Sequence, residues 1–244
     1  MTAASPGPDI RAAIAALEAE IAGACARAAR PAGEVAVVAV TKGHPAERAR
    51  DALAAGLADL GESRAQELAP KARALAAERP GPGEAPRWHF IGHLQRNKVR
   101  EVVPLISCLH SLDSQRLLRA IEREHGRLRE SRGGAASPLP CYLQVNVAGD
   151  PAKHGVAPGE LEPLLEAALA SEAVVVLGLM TVAPEGDPES ARPHFRALAR
   201  LAREHGLTGL SMGMTDDYRV AVEEGATLVR IGRALLGERA TGAG

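Results

Sequence analysis

A chain of 244 residues, 46% apolar and 24% charged, is long enough for one large α/β domain and has the make-up of a globular protein with a substantial core. Its 29 basic and 30 acidic residues leave a net charge of −1, and aromatics are 2%, so nothing marks a polyanion-binding surface and no nucleic-acid partner is expected. The cysteines, Cys25, Cys108 and Cys141, form no CxxC pair and read as reduced thiols, implying neither a disulfide frame nor a metal site.

Residues 1–8 carry prolines and small side chains and read as a loose tail, without the charged-then-apolar order of a secretory signal. From Asp9, a capping residue, Ile10, Ile14, Leu17 and Ile21 recur at helical spacing and predict a helix ending near Arg30-Pro31. Val35–Val40 is an unbroken, mostly β-branched run that suits a strand buried on both faces. Thr41, Lys42 and Gly43 follow, and Pro45 opens a helix stopped by Gly56. Ala58–Leu60 is a second strand, with a helix starting within Gly61–Glu67. A turn-rich loop at 80–86 precedes a third strand, Trp88–Ile91, and Gly92–Arg100 opens the next helix. Leu105–His110 is a fourth strand, followed by a helix from Asp113 to Glu130 and a flexible loop at 132–138. Tyr142–Val147 is a fifth strand, then a loop at 148–158 carries Lys153, and a helix runs to Ala170. Val174–Met180, Thr208–Ser211 and Thr227–Arg230 complete the strands, separated by helices at Glu189–Gly206 and up to Glu224. The longest apolar stretch, 173–183, is too short to span a bilayer, so no membrane partner and a cytoplasmic location are expected.

Eight strand-then-helix units in about 250 residues match a (β/α)₈ barrel. The expected fold is therefore a single α/β barrel of TIM type over residues 9–240, with an extra N-terminal helix. A doubly wound sheet would carry a Gly-rich phosphate turn after its first strand, and that turn holds Lys42 instead. Barrel active sites sit at the C-terminal strand ends, where this chain places Lys42, Glu62, Ser63, His89, Asn146, Met180, Ser211 and Arg230. A partly desolvated Lys42 makes a neutral, nucleophilic amine for Schiff-base chemistry; the bland alternative is a lysine snorkelling to water. His89 reads equally as a hydrogen-bonded core histidine, and Gln144 and Asn146 as polar fillers of the barrel interior. The loops after strands 7 and 8, Ser211-Met212-Gly213-Met214-Thr215 and Ile231-Gly232-Arg233, stand where barrels bind phosphate, unless their glycines only make tight turns. Arg230 keeps a permanent charge and could hold a ring nitrogen unprotonated. A lysine aldimine, a phosphate cradle and an arginine on a pyridine nitrogen together describe a pyridoxal 5′-phosphate (PLP) site.

The chain resembles the PLP-binding-barrel proteins of the YggS/PROSC type, the PLP homeostasis proteins, from Val37 to Gly237. The resemblance rests on Ala39-Val-Thr-Lys42, Gly61-Glu62 with Gln66-Glu67, Trp88–Gly92, Leu94-Gln95 with Asn97-Lys98, Gln144-Val-Asn146, Lys153 with Gly155, Gly178–Met180, Leu210–Met214 and Val229–Gly232. It implies the fold of the alanine racemase N-terminal domain, an aldimine on Lys42, phosphate held by the last two loops, and Arg230 facing the pyridine nitrogen. The cofactor-binding set it implies is Lys42, Ser63, His89, Asn146, Met180, Ser211, Met212, Thr215, Arg230, Ile231, Gly232 and Arg233. Gly43-His44, Ser63 and Arg233 depart from the family's usual residues. The implied activity is binding, storage and delivery of PLP without established turnover, with apo PLP-dependent enzymes as transient acceptors and a monomeric state. The alternative is a PLP-dependent amino-acid racemase, which needs a second acid/base facing Lys42; the tyrosines here are Tyr142, in strand 5, and Tyr218, on a helix.

Overall fold

The computed structural model describes residues 9–78 and 85–238; the expected tail at 1–8 and most of the loop at 80–86 lie outside them. Helix α1 (Ile10–Arg27) is followed by β1 (Ala36–Val40), α2 (Ala46–Ala54), β2 (Asp59–Glu62), α3 (Ala65–Ala77) and β3 (Arg87–Phe90). Then come α4 (Val99–Val102), β4 (Cys108–Leu112), α5 (Gln115–Ser131), β5 (Leu139–Gln144), α6 (Leu161–Leu169) and β6 (Val174–Met180). The described residues end with α7 (Arg192–Glu204), β7 (Gly209–Ser211), α8 (Tyr218–Glu223), β8 (Leu228–Ile231) and α9 (Arg233–Leu236). The strands pair in parallel in chain order and close, β8 against β1, into the expected barrel. No helix among the described residues is long and apolar enough to cross a membrane.

Two strands shift from their expected bounds. Leu105 and Pro104 belong to a 3₁₀ turn, Val103–Leu105, so β4 starts at Cys108. Strand β5 begins earlier, with Pro140 near its start where a missing N–H is tolerated. It ends at Gln144, because beyond a single bridge from Val145 to Val156 the chain turns away at Asn146. Helix α5 starts at Gln115 because the Ser114 hydroxyl accepts the Leu117 N–H as its cap.

Side chains alternate across each strand, so two cores form on the two faces of one sheet. Val38, Cys108, Tyr142, Met180 and Leu228 pack inside the barrel. Ala39, Leu60, Phe90, Leu109, Leu179 and Val229 face outward into the layer under the helices. This alternation fixes what can point into the barrel mouth: on β1 the inward set is Val38, Val40 and, one step on, Lys42. The ladder carries that parity past the strand, since the Thr41 N–H still donates to Gly61 O at 2.9 Å. Helix α1, capped by Asp9, lays Leu17, Ile21 and Cys25 into the outer core beside α8 and α9. Glu20 also accepts from Tyr218 and Arg219, but exposed pairs of this kind add little beside the buried apolar stripe.

Candidate functional site

The turn that carries Lys42 is braced from outside the barrel. Thr41 is fully buried and donates to Glu62 Oε1 at 2.5 Å, while Lys71 of α3 donates to the same oxygen at 2.5 Å and to Thr41 O at 2.8 Å. Glu67, one turn before Lys71, accepts the Gly43 N–H at 2.6 Å. Residues Thr41 and Gly43, on either side of Lys42, are thus both held by an acid on the second strand–helix unit. Burial pushes the Glu62 carboxyl above its usual range, with the Lys71 ammonium pulling it back. Glu67 is held below its range: its own burial would raise it, but the Gly43 N–H and Lys71 outweigh that. Lys42 itself is half-buried at the strand exit. Sequence reasoning missed Lys71 entirely; its only signal was the helical i, i+4 spacing to Glu67.

A chain of hydrogen bonds crosses the barrel interior. Arg87 and His89 both bond Asp59, His89 Nδ1 pairs with His110 Nε2 at 2.8 Å, and His110 Nδ1 pairs with the Ser211 hydroxyl at 2.8 Å. Arg230 Nη1 donates to that hydroxyl at 2.7 Å and Nη2 to Thr181 O at 2.9 Å. Arg230 is 3% exposed, and among the described residues its guanidinium bonds the Ser211 hydroxyl and the Thr181 carbonyl and no carboxylate. Burial lowers its pKa to about 10, against the pull of the more distant Asp217. His110 is fully buried and held neutral, burial first and then the neighbouring His89 and Arg230 charges driving its pKa well down. Asp59 stays ionised: burial raises it, but His89 and Arg87 outweigh this and hold it far below the usual carboxylate range.

The two expected phosphate loops meet. The Arg230 N–H donates to Gly213 O at 3.0 Å, and Arg233 pairs with Asp216 at 2.5 Å across the loops. Gly213 has φ +94°, and a Cβ there would lie 2.6 Å from the Ala221 Cβ, so only glycine lets this loop pack down on α8. The Met214 N–H is folded back onto the buried Asp217 carboxylate at 2.6 Å. Gly232 abuts Val40 on β1, and α9 opens without a side-chain cap, leaving its first N–H groups open as at any uncapped helix start.

The expected residues therefore divide. Lys42 follows β1, Ser211 ends β7, Thr215 lies in the loop after it, and Arg230, Gly232 and Arg233 lie on or just past β8, the three strands being neighbours in the barrel; Ser63 follows β2. His89 lies deeper, 8% exposed, and reaches Arg230 only through His110 and Ser211. Met180 is packed in the inner core. Met212 and Ile231 turn their side chains into the outer core, and the Met212 N–H is spent on Leu228 O. Asn146 is turned into its own loop: its amide donates to Asp150 O at 2.8 Å and Lys153 O at 3.3 Å, and its oxygen accepts the Asp150 N–H.

Residues 13–240 match the family model described as alanine racemase, N-terminal domain. A pyridoxal phosphate homeostasis protein of Pseudomonas aeruginosa is 41% identical over 94% of this chain and 96% of its own. The chain belongs to the pyridoxal phosphate homeostasis proteins. PipY of Synechococcus elongatus, solved with PLP bound, is 33% identical with a TM-score of 0.79, covering 93% of this chain and 100% of that one. The alanine racemase of Corynebacterium glutamicum, 18% identical with a TM-score of 0.62, shares the barrel over 94% of this chain and 63% of its own. Within the homeostasis family, the braced Lys42 turn and the buried Arg230 are this member's candidate site.

Proposed function

We propose that this chain binds PLP at the barrel mouth through Lys42, holds it and hands it to apo PLP-dependent enzymes in the cytoplasm, as a monomer and without turnover of its own. The observation that carries the reading is Arg230: a nearly completely buried guanidinium, on the strand paired with that preceding Lys42, that has no carboxylate partner among the described residues. Such a charge is costly unless an acceptor completes it, and a ring nitrogen or an anion is such an acceptor. The residues fit the group in two further ways. Lys42 has inward parity on a braced turn, and the joined β7 and β8 loops offer backbone N–H groups where barrels take phosphate.

Bound there, PLP supplies an aldehyde that condenses with an amine, a phosphate and a pyridine ring that withdraws electrons when its nitrogen is protonated. Lys42 is the amine. Arg230 donates a hydrogen bond and keeps its proton, which leaves the ring a weak electron sink. Tyr142, 6% exposed in the inner core with its pKa pushed up to about 12 by burial, is a poor acid/base at neutral pH. Tyr218 is turned away onto Glu20 of α1. Both placements favour holding over racemization. The test is borohydride reduction with PLP followed by peptide mapping. A phosphopyridoxyl mass on Lys42, absent from Lys42→Ala, supports the site; an unmodified Lys42 at saturating PLP overturns it. Transfer is read separately, by reactivation of an apo PLP enzyme.

A further inference from the structure

Three loops on the C-terminal face of the barrel, away from Lys42, bring together His93 after β3, Asp113 after β4 and His154 in the loop after β5. Their ligand atoms all lie within 4.8 Å of one another. His93 Nδ1 and Asp113 Oδ2 are 3.2 Å apart, close to the roughly 3.3 Å edge of a tetrahedron with metal bonds of about 2.0 Å. The His93 and His154 rings stack with centroids 3.8 Å apart and 9° between planes, so taking one ion between them turns a ring out of the stack to bring both nitrogen lone pairs onto it.

The three positions are held in place by hydrogen bonds of the surrounding backbone. Ser111 donates to Gly92 O at 2.5 Å, so the end of β4 both anchors the residue before His93 and carries Asp113. Asp113 has a side chain 12% exposed, partly desolvated beside the rings. His154 is fixed from three directions. Its carbonyl accepts from Gln144 at 3.1 Å, and Lys153 before it donates to Val182 O and Ala183 O. Gly155 after it has φ +118° and sits so close that a Cβ would meet Asn146 N at 2.8 Å. The Asn146 amide bonds described above close the same loop. These bonds fix the backbone that carries the three side chains, which limits the rearrangement binding requires.

We propose that His93, Asp113 and His154 form a binding site for one borderline transition-metal dication of the Zn²⁺ class. Two imidazoles and one carboxylate suit Zn²⁺, Co²⁺, Ni²⁺ or Fe²⁺, whereas Ca²⁺ and Mg²⁺ take oxygen ligands. Three protein ligands leave coordination positions for water or an exogenous ligand. The groove that His93 and Asp113 line also carries Arg96 and Arg116, which favours an anion in that role. In the other such trio among the described residues, His89, Cys108 and His110, both histidines are committed to the hydrogen-bonded chain inside the barrel and all three side chains are buried.

The experiment uses untagged full-length protein, stripped with a chelator and titrated with Co²⁺ under visible spectroscopy, then with Zn²⁺ in competition. One Co²⁺ per chain is expected, with d–d bands of an N/O site that Zn²⁺ abolishes. Asp113→Asn, His93→Ala and His154→Ala each weaken binding at least about tenfold while PLP absorbance and circular dichroism stay unchanged. Asp113→Asn keeps the side-chain volume and guards against loss of fold. Absence of saturable Co²⁺ binding overturns the proposal. So does binding that survives these variants, or that is lost only in His89→Ala or Cys108→Ser, which would put the metal inside the barrel.

Discussion

At the residue scale the Lys42 turn depends on a buried charge pair. Lys71 and Glu62 have side chains 7% and 0% exposed, and Glu62 Oε2 already lacks a partner. Removing Lys71 leaves an uncompensated buried carboxylate, so Lys71→Met is expected to cost about 3 kcal/mol in urea unfolding. It also weakens PLP binding by loosening the Lys42 turn. Adding Glu62→Gln should restore part of the stability but not the binding, a difference a double-mutant cycle reads directly. His110 makes the pH dependence predictable in sign. Its folded pKa lies below the ordinary value of 6.5, so the unfolded chain takes up the proton first. The contribution is complete above about pH 6.5 and is lost as pH falls below it. Urea midpoints at about pH 7.5 and pH 5.5 should differ more for the wild type than for His110→Gln.

At the element scale, the β7–α8 turn tolerates little. In Gly213→Ala the added Cβ meets Ala221 across a loop at φ +94°. A loss of about 2 kcal/mol is expected in thermal unfolding, with weaker PLP binding but Lys42 still reducible at high PLP. Helix α1 tests the opposite case. Leu17 is 4% exposed in the outer core, so Leu17→Ala should cost about 3 kcal/mol by cavity formation while the spectrum of bound PLP stays unchanged. A changed spectrum would mean that α1 reaches the site through α8 and α9.

At the scale of the whole molecule, the exposed large apolar side chains among the described residues are Leu169, Val175 and Leu177. That is far short of the roughly 800 Å² per partner of a stable dimer. Light scattering is expected to return the 25.4 kDa of one chain. L-alanine incubated with the PLP-loaded protein should keep its optical rotation, because neither tyrosine stands at the mouth; a decay absent from Lys42→Ala would revive the racemase reading.

The eight strand–helix units, the N-terminal helix and Lys42 at a strand exit were legible because each is local. Period-2 and period-3.6 patterns and turn residues act within a few positions of themselves. Strand parity was legible in principle: it turns the Met212 and Ile231 side chains outward, which leaves backbone groups as what these two positions offer a phosphate. Partnerships were decided only by the closed barrel. The Lys71 brace spans 30 residues to Thr41, and the His110–Ser211 bond spans 101. His93, Asp113 and His154 converge only because parallel strands bring all their C-terminal ends to one face. Sequence carries the periodicity of each element; which buried charges and ring nitrogens face each other depends on register and closure, which no single stretch of chain encodes.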